Sequence, residues 1–318
     1  MEIQKFFSGI RRNLRKCRPW TAAVWTLLVL ALAAGSLSGC AGKDRDQYGE
    51  NGEIPDTTED SYGVFLGIDQ TTFSPDLFKD YDTVVIDAQE LRKEQLAQLH
   101  VTGHTVYSYL NVGSIEKTRL YYEDFKDCRL DRYDNWPDEY WVDVTRPEWK
   151  ELVTQDLVEE ILEKDPQIDG LFLDNLDIYA HVSERRKYSD MSGDVYDSLR
   201  EILEAYQEAG IPVLVNGADL FVSTLLEDDG EDLLLGVNQE TVFTRILDYE
   251  HDRFGTQKES EQEYYTEYLK KCKKAGLEVF LLEYTSDEEI ELEILRYCRK
   301  NGFRCYISSH VDLDPEKD

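Results

Sequence analysis

Residues 170–179, GLFLDNLDIY, set three polar groups, Asp174, Asn175 and Asp177, directly after a short apolar run. A short apolar run between a glycine and an acidic cluster reads as a buried parallel strand. Carboxylates at the C-terminal end of such a strand stand where open α/β sheets and β/α barrels carry their chemistry. The competing reading is structural: Asp is a favoured N-cap, so Asp174 could cap the helix that follows.

Further along the chain, other strand candidates end the same way. Asp69-Gln70 follow the first, and Asp87 and Gln89 the second. Tyr109, Asn111 and Ser114 close the third, and Asn216 and Asp219 the fifth. Asn238-Gln239-Glu240 follow the sixth, Glu283-Tyr284 the seventh, and Ser308, Ser309 and His310 the eighth. Amides and acids bond hydroxyl groups, and flat aromatic rings stack on pyranose faces, so this composition suits a sugar. Two carboxylates flanking one bond are the minimal equipment for glycoside hydrolysis. Asp174 and Glu240 are the candidate pair, from strands that are not adjacent, so a ligand fits between them. Glu283 competes for the acid role. Asp69, Asp87 and Asp177 read as binding or scaffold groups, and Tyr109, Trp141 and Tyr284 as stacking candidates.

Other chemistries find no support. The histidines do not cluster with acids at metal-ligand spacing, and neither a phosphate-binding glycine loop nor a GxSxG elbow occurs. No metal and no cofactor are expected. Lys117 and Arg119 could bind anions, but solvated charge is the stronger reading.

Positioning these groups requires a regular scaffold. Eight apolar strand candidates occur at 64–68, 83–86, 105–110, 170–173, 213–215, 233–237, 278–282 and 304–307. Helical spacing of apolar residues appears at 91–99, 148–162, 195–208, 261–274 and 287–300. Gly103, Gly210, Gly276 and Gly302 fall between a helix and the next strand, the place of a C-cap glycine. Eight βα repeats predict an α/β fold, a (β/α)8 TIM barrel, over the alternative of an open sheet. The connection 111–146, with Tyr121, Tyr122, Tyr133, Trp136, Tyr140 and Trp141, is long enough to be functional. On a barrel it would lie over the mouth. Almost nothing follows the eighth strand.

The first forty residues stand apart. A basic start, an apolar stretch from Thr21 to Leu37 and a closing LSGC have the layout of a secretory signal. The closing motif resembles the lipobox of bacterial lipoproteins, which implies cleavage before Cys40 and lipidation of its thiol; an uncleaved membrane anchor is the alternative. The expected organisation is a signal over 1–39, a polar acidic linker over 40–61, a barrel over 62–312 and a tail over 313–318. Cleavage would remove six Lys/Arg and Glu2, leaving 29 basic against 65 acidic residues. A surface so acidic repels nucleic acid and anionic membrane and attracts cations, although acidity also serves solubility. The four remaining cysteines are too sparse for a disulfide scaffold, and their pairing is not legible.

The segments SYLNVGSIE (108–116), EYWVDVTRPEW (139–149), DGLFLDNLDIY (169–179), VNGAD (215–219), NQETVF (238–243) and LLEY (281–284) resemble the endo-α-1,4-polygalactosaminidases, glycoside hydrolase family 114. The likeness runs from about Gly63 to His310. It implies a (β/α)8 barrel and an endo-acting glycosidase for an α-1,4-linked galactosamine polymer. Carried over by position, the catalytic acids fall on Asp174 as nucleophile and Glu240 as acid/base. The substrate-binding set is then Asp69, Asp87, Tyr109, Asn111, Trp141, Asn175, Asp177, Tyr179, Asn216, Glu283 and Tyr284. The first strand, VFLGIDQ, lacks the Trp-Gln pattern common in the family. NQETVF aligns its glutamate with the usual NEQCF only after a one-residue shift.

The resulting expectation is a monomeric, lipid-anchored, extracytoplasmic glycosidase of a bacterial membrane, acting on a polysaccharide. Its two acids should stand at the separation of a retaining enzyme, with Asp174 ionised and Glu240 carrying the proton. The alternative is a non-catalytic carbohydrate-binding lipoprotein on the same barrel.

Overall fold

The computed structural model describes residues 61–314. The leader, Cys40 and the acidic linker lie outside the described residues. Eight parallel strands form one sheet: β1 (Tyr62–Phe65), β2 (Thr83–Ile86), β3 (Thr105–Asn111), β7 (Gly170–Asp174), β8 (Val213–Asn216), β9 (Gly236–Glu240), β12 (Glu278–Tyr284) and β13 (Arg304–Ser308). Their spatial order follows the chain. No ladder joins β1 to β13, but side chains close the seam. Phe65 packs on Tyr306 with ring centroids 5.5 Å apart, and the Arg304 guanidinium donates to the Thr83 hydroxyl at 3.3 Å. The result is a nearly closed (β/α)8 barrel, as eight βα repeats predict.

The strands are apolar because both faces are covered. All four residues of β2 and of β8 are buried, the pattern of a parallel strand between a filled interior and an outer helix layer. That layer consists of α1 (Lys93–Thr102), α2 (Pro147–Glu151), α3 (Leu157–Lys164), α4 (Ile178–Glu184), α5 (Ser192–Ala209), α6 (Asp219–Glu227), α7 (Glu259–Lys274) and α8 (Glu288–Asn301). A π-helical turn, Leu152–Asp156, splits the single helix expected over 148–162. Gly103, Gly210, Gly276 and Gly302 all have positive φ after their helices. The four described cysteines are free thiols.

Two boundaries move. β1 starts two residues earlier than expected, and Leu66-Gly67 already turn away. β9 starts three residues later than expected, because residues Glu231–Leu233 form a 3-10 turn. The shift puts Glu240 on the last position of its strand.

The long connection after β3 folds into a three-stranded sheet of β4 (Ser114–Glu116), β5 (Arg129–Arg132) and β6 (Glu139–Val142), with β6 central. A second connection, after β9, forms the hairpin of β10 (Thr244–Asp248) and β11 (Arg253–Thr256). No sequence signal marks that hairpin, since all but Thr244 of its strand residues are exposed or half-buried. Helices α4 and α6 were also not expected. The chain after β13 turns back beside β1, where the Gly67 N–H donates to the Leu313 carbonyl at 3.2 Å. Leu313 is buried, so it belongs to the barrel and not to a tail.

Gly113 fixes how the connection leaves β3. A Cβ there would stand 1.7 Å from the Asn175 carbonyl oxygen. The exit of β3 can therefore press directly on the turn after Asp174 only because position 113 has no side chain. Gly113→Ala must push that turn away. We expect it to destabilise the protein by about 3 kcal/mol, read as a lower denaturant midpoint. An unchanged midpoint would show that the two segments yield freely.

Candidate active site

The strand ends meet in a cleft of about 620 Å³ at the mouth of the barrel. At its floor β8 stands between β7 and β9, and the last residue of each strand is a hydrogen-bonding group: Asp174, Asn216 and Glu240. The Asn216 amide donates both hydrogens, to Asp174 Oδ1 at 2.9 Å and to Glu240 Oε1 at 2.7 Å. One amide thus holds two carboxylates. Asp174 does not cap the following helix. Asp177 occupies that position, without a side-chain cap bond.

The amide is locked from behind. Asn238 Nδ2 donates to Asn216 Oδ1 at 2.7 Å, and the Tyr62 hydroxyl donates to Asn238 Oδ1 at 3.2 Å. With its oxygen occupied, Asn216 can only turn its N–H groups toward the acids. Each acid has a second donor. The Tyr284 hydroxyl donates to Glu240 Oε2 at 2.9 Å. The Tyr109 hydroxyl lies 3.2 Å from Asp174 Oδ2 and 2.9 Å from Glu116 Oε1, so its one proton is divided between two acceptors. Phe254 of the hairpin stacks on Tyr284, centroids 5.9 Å apart.

The backbone bends sharply just beyond each of these three strand ends. Asn175, Ala218 and Thr241 have φ of 63°, 56° and 57°, and Gly217 has 62°. The left-handed region disfavours side chains, most of all a β-branched one such as Thr241. Non-glycine residues held there collect at functional sites.

The two acids are half-buried at the cleft floor, and their protonation responds to that partial enclosure. Burial pushes the Asp174 carboxyl up to about 8, with the charge of Glu240 adding to it and the Asn216 bond opposing. Glu240 is also raised by burial, against the donors Asn216 and Tyr284. Both therefore favour the protonated form, and as neighbours they titrate as a pair. This departs from the expectation that Asp174 alone stays ionised. The physical reason is desolvation, which outweighs the neutral donors at both acids, with the charge of Glu240 adding to it at Asp174. Asp177 is pushed up to about 7 by burial and by Asp219; its Oδ1 accepts from the Ala218 N–H at 3.1 Å.

Of the binding residues expected from sequence, Asp87, Tyr109, Asn175, Asp177, Asn216 and Tyr284 line the cleft with the two acids. Five others do not. Asp69 bonds the backbone and hydroxyl of Thr71 in its own turn, both at 2.6 Å. Asn111 accepts from the Ser114 N–H and donates to Glu139 at 3.0 Å, which fixes the start of β4. Trp141 is buried, stacked on Tyr133 at 4.4 Å. Tyr179 packs between helices, on Tyr196 and Phe221. Glu283 is fully buried and accepts from the N–H groups of Val242, Phe243 and Thr244 and from the Thr244 hydroxyl. It fastens the turn after Glu240 and has no oxygen left for a ligand.

Several cleft residues were not foreseen. Glu139 accepts from Asn111 and Asn175, each at 3.0 Å, and from Ser114. Arg119 is buried rather than solvated: it pairs with Asp87 at 2.8 Å and with Glu116. Among the described residues that line the cleft, it is the one Lys or Arg. Tyr133 and Trp136, from the connection expected over the mouth, and Gln239, from the expected end of the sixth strand, do line the walls; Tyr249 and Asp312, which were not foreseen, complete them. Glu116 and Glu139 sit inside the quoted SYLNVGSIE and EYWVDVTRPEW segments, so a signal for them existed. For Arg119 none did.

Known proteins share this architecture. Residues 57–315 match the family described as glycoside-hydrolase family GH114. The glycoside hydrolase domain of PelA from Pseudomonas aeruginosa superposes with a TM-score of 0.65 at 18% identity, over 80% of this chain and 96% of that one. Ega3 of Aspergillus fumigatus, solved in complex with galactosamine, superposes with a TM-score of 0.60 at 16% identity, over 80% and 92%. Among curated proteins none matches the chain.

The raised Asp174 carboxyl has a consequence for stability. A group whose folded pKa lies above its unfolded value contributes fully at low pH and loses that contribution as pH rises through the folded pKa. Between about pH 4 and pH 8, then, the native protein should lose stability as charge enters the dyad. Asp174→Asn keeps the neutral shape. We expect the variant to match the native protein near pH 4 and to be more stable by about 2 kcal/mol at pH 8. Denaturant melts at the two pH values decide it, and a gap that does not widen with pH would refute the buried pair.

Proposed function

Because the chain belongs to glycoside hydrolase family 114, we propose that this glycoside hydrolase cleaves an α-linked, galactosamine-type polysaccharide with retention of configuration. Asp174 would act as nucleophile and Glu240 as acid/base. The observation that carries this reading is the single amide shared by the two carboxylates. Their bonded oxygens lie 2.9 and 2.7 Å from one nitrogen, so they cannot be further apart than the sum of those lengths. An oxygen pair that close supports the about 5–5.5 Å carboxyl spacing of retaining enzymes over the about 6.5–9.5 Å spacing of inverting ones.

In the first step Glu240 gives its proton to the glycosidic oxygen. That bond breaks as Asp174 attacks the anomeric carbon and forms a glycosyl ester. In the second, Glu240 takes a proton from water, and the resulting hydroxide displaces Asp174. Asp174 must be ionised to attack. Burial and the charge of Glu240 push its carboxyl up to about 8. A cationic sugar at the dyad would draw the carboxyl back down. The walls favour such a ligand: Asp87, Glu90, Glu116, Glu139, Asp177 and Asp312 surround the dyad, against the already paired Arg119. Ega3, captured with galactosamine, supports the same substrate class.

Digestion of an α-1,4-linked galactosamine polymer tests the reading. Asp174→Asn and Glu240→Gln should each slow turnover by about 10³-fold or more, and the first product released should be the α anomer. Release of the β anomer would refute retention. Binding without cleavage by the native protein would leave the carbohydrate-binding alternative in its place.

The leader suggests where this happens. We propose that residues 1–39 are removed, that Cys40 is lipidated and that 40–61 tethers the barrel outside the cytoplasmic membrane. The basic, apolar and LSGC order supports this. Cys40→Ser should abolish incorporation of labelled fatty acid and release the protein from the membrane fraction; undiminished labelling would rule out the anchor.

A further inference from the structure

Two long connections meet at the barrel mouth. Trp136, between β5 and β6, packs edge-on against Tyr249 of the hairpin, with centroids 5.6 Å apart and planes at 77°. Beside it Asn135 Nδ2 donates to the Tyr249 hydroxyl at 3.2 Å. These connections rise from β3 and β9, which β7 and β8 separate in the sheet. The contact is therefore a bridge between parts of the rim that are not neighbours.

Trp136 differs from the other described tryptophans. Trp141 and Trp149 are buried, while Trp136 is 41% exposed and lines the cleft with Asn135 and Tyr249. Its turn is nonetheless fixed. The Trp136 carbonyl accepts from the Glu139 N–H at 3.1 Å, and the Pro137 carbonyl from Arg132 Nε at 2.6 Å. The edge-on contact covers at most one indole face, and the exposed part of the ring lies on the cleft wall. A rigid, exposed indole face on the wall of a carboxylate-lined cleft suits the C–H face of a pyranose ring.

We propose that Trp136, backed by Tyr249, is a stacking subsite for a sugar unit displaced along the chain from the bond that is cut. The proposal rests on the amino-sugar hydrolase reading above and deepens it: the cleft takes an oligomer with a grip at the rim as well as at the dyad. Short oligomers that reach only the dyad do not touch Trp136, and longer ones do.

The test is calorimetric titration of the turnover-deficient Asp174→Asn protein with an α-1,4-linked galactosamine dimer and hexamer. Adding Trp136→Ala should weaken hexamer binding about tenfold, equivalent to about 1.4 kcal/mol, and leave the dimer unchanged. Trp136→Phe should restore most of the loss. In the active protein Trp136→Ala should raise KM for the hexamer with kcat little altered. Equal weakening of both oligomers would make Trp136 a support for the loop and overturn the subsite, as would no weakening of either. If Asp174→Asn with Trp136 intact binds neither oligomer, the amino-sugar reading fails and takes the subsite with it. A length-independent result with intact binding sinks the subsite alone.

Discussion

Two carboxyl groups held side by side by one neutral amide are the constraint on which the rest of this site depends. Like charges at that range disfavour each other, and burial adds to the penalty. The barrel places one amide, Asn216, between Asp174 and Glu240, and supplies Tyr109 and Tyr284 on their other sides. Neutral donors stabilise negative charge without cancelling it, so the pair retains a proton that a cation would have expelled. Arg119, the cation that does line the cleft, is engaged by Asp87 and Glu116 and its charge is spent there.

Holding that amide in one orientation reaches through the barrel interior. Tyr62 on β1 donates to Asn238 on β9, and Asn238 donates to Asn216 on β8. Every bond in the chain points its donor toward the acids, the alignment in which hydrogen bonds reinforce one another. Asn238 is fully buried and Tyr62 nearly so, so neither amide oxygen nor hydroxyl is available to water as a substitute partner. The same strands that carry the acids are followed by left-handed residues, which turn the chain away and leave the carboxyl groups at the edge of open space. Glu283 anchors one of these turns through three backbone N–H groups. A carboxylate that looked like a competing acid in the sequence is thus what keeps Glu240 in position.

What could be read in advance follows from the range of the forces involved. Strand and helix periodicity is local, so the eight strands, the barrel and the capping glycines were legible. The placing of Asp174 and Glu240 in one mouth was legible too, since both end parallel strands, but that position alone does not decide it: Asn111 also ends a strand and turns to Glu139 instead. Partner choice is not local. Nothing near Trp141 says that it will stack on Tyr133 instead of facing the cleft, and Arg119 reads as solvated until Asp87, from another connection, is brought beside it. The hairpin after β9 was missed for a related reason: Ile246 is half-buried while its apolar neighbour Leu247 is exposed on the other face, so the strand carries no clear hydrophobic period. The start of β9 was misplaced because Leu233 and Leu234, apolar enough for a strand, are taken up by a 3-10 turn and its exit.

The acidity of the cleft also bears on why so polar a site is stable at all. A cleft lined by eight carboxyl groups and one paired arginine would repel itself apart if every acid were ionised. Burial limits that by keeping Asp174 and Asp177 protonated toward neutral pH, and the hydrogen-bond web of Glu139 with Ser114, Asn111 and Asn175 spreads what charge remains. Protons on the raised carboxyls thus relieve part of the repulsion. A cation entering the cleft competes with those protons for the same oxygens, so ligand binding and proton release are linked. On the proposed mechanism this linkage has a direction: a cationic sugar, and not a neutral one, strips the nucleophile of its proton as it binds. On that mechanism selectivity and activation would share one origin, acids surrounded by amides and tyrosines in place of lysines.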